Sequence, residues 1–286
     1  MTSSNLSNCL PISVVIPTLG DSCLSSTINH INSGPITPYE ILICIPYGYL
    51  SRVEHLIHNN VKLVPTFLQG QVVQRIEGFK YATQPYVLQL DDDVEISLNS
   101  LTKLMKLLIS LDMSSAVAPV FLDKVDSQNI HKFPNGLSLL FSNLFIFLLF
   151  GSKWGICRMG TVTTAGTNYG VDFDYLTCSF LEVEWVPGGC CLHHRQNLLL
   201  DSFYPFPGKA FCEDLIHSFY LRQRNIRLFV TNSAFCKIDY PSLPLSRHDI
   251  FCDIRARFFF NKLRGLLCIR FIVWCLLSYP KRFFIR

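Results

Sequence analysis

Two acidic clusters carry the residue types that could do chemistry. Asp91, Asp92 and Asp93 are consecutive and follow directly on the apolar run Tyr86-Val-Leu-Gln-Leu90. Glu213 and Asp214 form the second cluster, delivered by a loop that contains Pro205, Pro207 and Gly208. Carboxylates a few ångströms apart raise each other's pKa, so three at the end of a buried strand call for a cation. A divalent metal suits that place, because it takes oxygen ligands and can bridge carboxylates to phosphate oxygens. The same aspartates would also serve as a solvated turn ahead of a helix that starts near Ser97. The Glu-Asp pair has two readings as well. It offers a carboxylate able to take a proton from a hydroxyl, or acids that complement the dipole of a helix N-terminus.

The elements that must position these groups alternate. Apolar runs at 12–17, 39–46, 61–65 and 86–90 read as strands, and helical spacing falls at 24–31, 51–58 and 72–82. Further on, 98–111 and 215–223 read as helices, and 115–122 and 226–231 as strands. Residues 182–189 read as a strand running into the turn Gly188-Gly189. Such alternation predicts an α/β fold with a mostly parallel central sheet and right-handed crossovers. Ligands of open α/β sheets bind beyond the carboxyl ends of the strands, where Asp91 to Asp93 would project. The glycine-rich fingerprints of dinucleotide-binding dehydrogenases and of P-loop NTPases are both missing from the sequence.

Composition sets outer limits. The 286 residues are 49% hydrophobic and only 16% charged, with a net charge of +4. No run reaches the roughly 20 apolar residues of a membrane span, although 139–150 is uncharged and reads as a buried or interfacial segment. The first eight residues lack the basic start and apolar core of a signal peptide, so no export is expected. The 12 cysteines are scattered without a C-x-x-C pair, which predicts reduced, mostly buried thiols rather than a zinc ribbon. Beside Cys190-Cys191, the adjacent His193 and His194 would point to opposite faces of a strand, which disfavours a Cys/His metal site. From Arg247 onward the chain is strongly basic, with Phe, Leu, Ile and Trp between the cations. That pattern suits an interfacial helix on an anionic membrane surface. Equally, it suits a helix packed on the main body with its cations in water. It carries no recognisable nucleic-acid motif, and no nucleic-acid partner is expected.

Several separated pieces together resemble one family. Val14-Val-Ile-Pro-Thr18, Gln69-Gly-Gln71 with Arg75 and Gly78, Leu90-Asp-Asp-Asp93, Trp185-Val-Pro-Gly-Gly189 and Glu213-Asp214 occur in order. They resemble the inverting family 2 glycosyltransferases, over about residues 10 to 235. The resemblance implies the nucleotide-sugar A-type fold, with a Rossmann-like nucleotide-binding half at 10–95 and an acceptor-binding half at 96–245. A basic, apolar helical tail would follow at 246–286. It implies that Asp91 and Asp93 hold Mn2+ or Mg2+, with Asp93 the direct ligand. Pro17, Thr18, Arg75, Asp91 and Asp92 would border the nucleotide sugar, and Trp185, Gly188 and Gly189 the acceptor. Asp214 resembles the catalytic base, with Glu213 beside it. The second strand ends in Ile45-Pro-Tyr-Gly48, where this family commonly has an acidic pair. The Q-x-x-R-W signature of processive synthases is missing, since Leu221-Arg-Gln-Arg224 lacks the tryptophan. The expected activity is therefore a single transfer from a nucleotide-diphosphate sugar to a lipid-linked or cell-envelope glycan, at the cytoplasmic face of a membrane. A catalytically inactive scaffold of the same fold and a nucleotidyltransferase are the alternatives. The latter should open with a basic, glycine-rich loop, which 17–22 is not.

Overall fold

A computed structural model describes residues 9–34, 36–56, 58–133, 137–239, 246–266 and 268–284. Four strands, β1 (Cys9–Pro17), β2 (Thr37–Pro46), β3 (Val61–Thr66) and β4 (Tyr86–Leu90), pair in parallel in the order β3-β2-β1-β4. The centres of β1, β2 and β4 are apolar on both faces because both faces are covered, while the edge strand β3 is largely exposed. Val14, Ile16 and Leu88 look toward α1 (Cys23–Asn32) and α3 (Leu98–Ser110), which contribute Leu24, Ile28, Leu101 and Leu104 to the same core. Val15, Leu42 and Val87 look the other way and meet Phe79 of α2 (Gln71–Tyr81).

The second half of the nine-stranded sheet is mixed. It adds β5 (Glu95–Ile96), β6 (Ser115–Asp123), β7 (Phe180–Val183), β8 (Cys190–His194) and β9 (Arg227–Ile238). β8 runs antiparallel between β4 and β6, while β6 and β9 are parallel. The short β5 and β7 pair antiparallel with β9. Four more helices complete the chain: α4 (Leu137–Phe150), α5 (Glu213–Gln223), α6 (Arg247–Leu263) and α7 (Cys268–Phe284).

Three expectations need correction. The stretch 51–58 is not a helix: a short 3-10 turn over Tyr47–Arg52 closes directly onto the end of β2, and further turns follow. Only Val53 of the apolar residues described there is fully buried, and one anchor does not stabilise an isolated helix of that length. The strand read at 182–189 ends at Val183, and the remainder is the turn that leads into β8. The cysteines are free thiols, but only Cys44, Cys190, Cys191 and Cys236 are buried, and Cys9, Cys157 and Cys178 are exposed.

The basic tail is not a detached appendage. Phe260 of α6 is buried among Ile76 of α2, Trp185, and Leu215 and Ile216 of α5. The start of α6 carries a capping box in which Ser246 accepts from the Asp249 backbone and Asp249 reaches back to Ser246. Among the described residues no helix is long and apolar enough to cross a membrane.

One close approach fixes where α2 sits. A Cβ at Gly78 would lie 2.4 Å from Cys44 Sγ on β2 and 2.4 Å from Val15 Cγ1 on β1. The missing side chain lets the helix lie on the sheet and brings its first two turns to the carboxyl ends of the strands. Gly78→Ala gains about 1 kcal/mol of helix propensity and meets an overpacking cost of about 1–3 kcal/mol. Because its neighbours are strand residues inside the core, the steric cost is expected to win. Denaturant unfolding should show a loss of about 1–2 kcal/mol; a more stable variant would show that α2 can slide.

Candidate active site

The register of β4 and β8 builds the centre of the site. Leu90 lies opposite Cys190, so the residues just beyond the strands, Asp91 and Gly189, face each other. The Asp91 N–H donates to the Gly189 carbonyl at 2.9 Å, and Gln89 Nε2 donates to the Gly188 carbonyl. At Gly188 a Cβ would lie 2.5 Å from Glu213 Oε2, so only glycine leaves that carboxylate its place. A Cβ at Gly189 would lie 3.3 Å from Asp91 Oδ2. The glycine turn assigned to the acceptor side is therefore folded directly over both acidic clusters.

Arg75 joins those clusters. Its side chain is 1% exposed, with Nη2 2.7 Å from Asp91 Oδ1 and Nη1 donating to Glu213 Oε1. Gln71 Nε2, one helical turn earlier on α2, donates to the same Asp91 oxygen at 3.1 Å. Burial works against the charge on Arg75, but Glu213 and Asp91 outweigh it and hold the guanidinium cationic. Two carboxylates share that one cation, and burial still pushes Glu213 up to about 7 against the pull of Arg75. The nucleotide contact expected of Arg75 is thus corrected. Its terminal nitrogens are committed to carboxylates inside the protein, which makes it a positioning residue.

Beside this centre lies a cleft of about 340 Å³, lined among others by Pro17, Thr18, Asp21, Gln74, Asp92 and Lys209. Thr18 Oγ1 donates to Asp92 Oδ2 and accepts from the Gly20 N–H at 2.9 Å, tying the end of β1 to the acidic cluster. Burial pushes Asp92 up to about 6, although Thr18 opposes the shift. Gln74 is buried and crosslinks the strand ends, donating to the carbonyls of Thr18 at 2.8 Å and Cys44 at 2.7 Å. Sequence reading gave no site role to Gln74, Gln89, Asp21 and Lys209, and used Gln71 only as part of the Gln69-Gly-Gln71 motif. The available signal was the spacing of Gln71, Gln74 and Arg75, which puts all three on the first turns of one helix.

Asp93 is exposed, and burial of its surroundings together with Asp91 raises its pKa. The side-chain hydrogen bonds to Asp91 among the described residues both fall on Oδ1. Among the described residues no group of three or more His, Cys, Asp or Glu forms a cage for a metal ion. A site built from Asp91 Oδ2 and Asp93, completed by substrate phosphates and water, is the arrangement Mg2+ takes with nucleotide substrates. The donor set fits such an ion.

Asp214 stands in the first turn of α5, partly exposed, its Oδ1 accepting from the Leu215 N–H at 2.9 Å. The preceding Cys212 has φ +57°, left-handed backbone that a non-glycine residue rarely adopts, which turns the loop sharply into the helix. Burial pushes Asp214 up to about 6, with Arg257 of α6 as the main opposing charge. Arg257 is itself held in place. Its Nε donates to Asp253 at 2.9 Å, and its guanidinium lies 5.1 Å from the Trp274 ring centroid. Tyr279 donates to the other Asp253 oxygen at 2.7 Å. The tail therefore sets the electrostatic surroundings of Asp214.

Trp185 is a second correction. It is 4% exposed, its Nε1 donates to the Tyr169 carbonyl at 2.9 Å, and its ring meets His131 edge-on. A ring so enclosed offers no face for a sugar to stack on. His193 faces His217 of α5, and His194 faces Tyr86, so the two histidines do point apart.

Residues 49–172 match the family model for Glycosyl transferase family 2. GalNAc-T7, solved with UDP, GalNAc and Mn2+, superposes with a TM-score of 0.58 at 14% identity, over 96% of this chain and 52% of that one. Mannosyltransferase PcManGT from Pyrobaculum calidifontis, solved with GDP-Man and Mn2+, superposes with a TM-score of 0.54 at 14% identity, over 95% of this chain and 71% of that one. At such identity the likeness is one of fold, and the chain spans about half the length of the first of these structures. No curated protein matches the sequence. Residues 49–172 are thus similar to glycosyltransferase family 2, and the chain shares the fold of two solved glycosyltransferases. The matched segment contains Arg75 and Asp91 to Asp93. Thr18 and Glu213 lie outside it, joined to it by hydrogen bonds to Asp92 and from Arg75.

If Arg75 holds the two acidic clusters together, Arg75→Met leaves Glu213 buried and unpaired. Breaking a buried ion pair on one side costs about 3–5 kcal/mol, and urea unfolding should show that loss. A change under ~1 kcal/mol would mean that Glu213 is solvated without its partner.

Proposed function

We propose that the protein transfers a single sugar from a nucleotide-diphosphate sugar to a hydroxyl of a lipid-linked or cell-envelope glycan, with inversion at the anomeric carbon. The observation that carries this reading is the placement of two separate acidic clusters around the buried Arg75, beside a cleft that ends at β1 and β4. The fold neighbours are structures with UDP or GDP-Man and Mn2+, which supports a nucleotide-sugar donor and a divalent cation.

The nucleotide would lie in the cleft between the end of β1 and the loop around Gly208, with Pro17, Thr18 and Asp92 along its floor. Lys209, at the rim, adds a cation for the diphosphate. Asp93 and Asp91 Oδ2 would hold Mn2+ or Mg2+. Such an ion, when bound, neutralises charge that develops on a leaving diphosphate. Asp214 would take the proton of the acceptor hydroxyl as its oxygen bonds to the anomeric carbon and the bond to the diphosphate oxygen breaks. One displacement of this kind inverts the configuration. Gly188 and Gly189 keep the space above the two clusters free of side chains, as an incoming acceptor requires. Glu213, paired with Arg75, orients the start of α5.

The reading extends to location. A lipid-linked acceptor would meet the enzyme at the cytoplasmic face of a membrane, with the protein bound peripherally to anionic lipid. The basic, apolar composition of 246–286 supports this.

Asp93→Asn is expected to abolish metal-dependent transfer while leaving the melting temperature unchanged. Full turnover by that variant with EDTA present would remove Asp93 from the metal site. Asp214→Asn should still bind nucleotide, yet lose about 10²–10⁴-fold in turnover, as when a general base is removed. The pH profile checks the same assignment. The Asp214 carboxyl is raised to about 6 and works only when ionised, so turnover should be at its plateau above that pH. Below it, turnover should fall about tenfold per unit as the carboxylate is protonated. Arg257→Met removes the cation that opposes this shift and should move the acid limb to higher pH; an unmoved limb would exclude Asp214 as the group observed.

A further inference from the structure

Two helices, α4 and α7, leave large apolar side chains exposed. α4 and α7 pack side by side, burying Phe150, Phe271 and Trp274 in a shared cluster with Ile146, Leu149 and Val273. Gly151, at φ +61°, ends α4 and passes close beneath Arg270, whose Nη1 donates to Thr164 Oγ1 at 2.6 Å. The pair is thereby fixed to the body and to each other. The inner sides of both helices are satisfied by this packing. Their outer sides are also apolar and are largely exposed.

On α4 the outer residues are Leu144, Phe145, Phe147 and Leu148, the last 59% exposed. On α7 they are Ile269, Ile272 and Leu276, spaced three and four apart and therefore on one side of the helix. Ile269 and Leu276 are 70% and 69% exposed. Trp154, just beyond α4, is half exposed and stands edge-on to Phe147. Contiguous apolar patches of this kind are rare on monomeric proteins and mark interaction sites.

We infer that α4 and α7 together form a docking face for a phospholipid bilayer that contains anionic lipid. This rests on the peripheral-membrane reading above and deepens it: the contact surface is a pair of packed helices, with α4 an equal partner, and not the basic tail by itself. Charge decides the occupant. No Asp or Glu follows Asp253 in the sequence, and none lies in α4. Arg270 is exposed beside Ile269 in α7, and the sequence places Lys281 and Arg282 later in the same helix. A second copy seated on this face in a symmetric dimer would put the same cations on both sides of the interface, with no acid of either helix to pair them. Anionic headgroups would receive them, with the apolar side chains at the acyl boundary and Trp154 at headgroup level. Neither helix can span the bilayer, so the contact is interfacial.

Sedimentation of the full chain with vesicles tests this without donor or metal, so its outcome does not depend on catalysis. With phosphatidylcholine vesicles containing phosphatidylglycerol, most of the protein is expected in the pellet, and with pure phosphatidylcholine little. Leu148→Glu on α4 and Leu276→Glu on α7 should each lower partitioning at least tenfold, with circular-dichroism melting unchanged. Trp185 and Trp274 are buried, so a blue shift of tryptophan emission on adding vesicles reports Trp154, and Trp154→Phe should abolish it. Pelleting of Leu148→Glu like the wild type would take α4 out of the face and overturn the proposal. So would a soluble wild-type chain, or equal pelleting with neutral vesicles. A concentration-dependent dimer dissolved by the same two substitutions would instead assign the face to a second copy. Loss of pelleting with transfer to a soluble acceptor intact would leave the catalytic reading standing, and active Asp214→Asn with normal pelleting would leave this one standing.

Discussion

A single buried guanidinium organises this protein's chemistry. Arg75 sits between Asp91 at the end of β4 and Glu213 at the start of α5, carboxylates that the sequence separates widely. An isolated arginine inside a protein is costly, and so is an isolated carboxylate; together they are tolerable because each supplies the other's counter-charge. The arrangement leaves one carboxylate in excess, which suits a site meant to receive further positive charge. It also explains why α5 begins where it does. Glu213 reaches inward to Arg75, and Asp214, one residue on, is left partly exposed.

Close backbone approach is the second constraint. Gly78 lets α2 press on β1 and β2, and Gly188 lets the turn before β8 pass over Glu213. The first places Gln71, Gln74 and Arg75 at the strand ends. The second brings a stretch from late in the chain, without side chains, above the acids. Both contacts act on the same cluster from opposite sides.

The C-terminal helices combine two roles that composition suggests should be alternatives. α6 packs on α5 through Phe260, and its Arg257 is the main charge opposing the rise of the Asp214 pKa, so the tail is part of the protein's body. α7 buries Phe271, Trp274 and Tyr279 on one side while leaving Ile269, Ile272 and Leu276 outside. Tyr279 also binds Asp253, the partner of Arg257. A chain of contacts thus runs from the apolar outer helix to the neighbourhood of Asp214.

By itself the sequence determined the first half of the sheet. The strands at 12–17, 39–46 and 86–90 are buried along nearly all their length, and near-continuous Val, Ile and Leu is a strong local signal of that environment, whereas the edge strand at 61–65 is largely exposed. It also located both acidic clusters and the glycine turn, because runs of carboxylates and paired glycines have few other reasons to occur. Local pattern failed where one residue's fate depended on distant ones. Arg75 looks like any helix cation until Glu213 is folded against it, and Trp185 looks like a platform until Tyr169 and His131 enclose it. The apolar spacing at 51–58 suggested a helix that had only Val53 to anchor it. Only the tertiary structure decided whether the basic tail packs or projects, since its two helices have apolar residues enough to do both. Which side of α7 is buried follows from where α4 and α6 already stand, and no spacing within 246–286 records that.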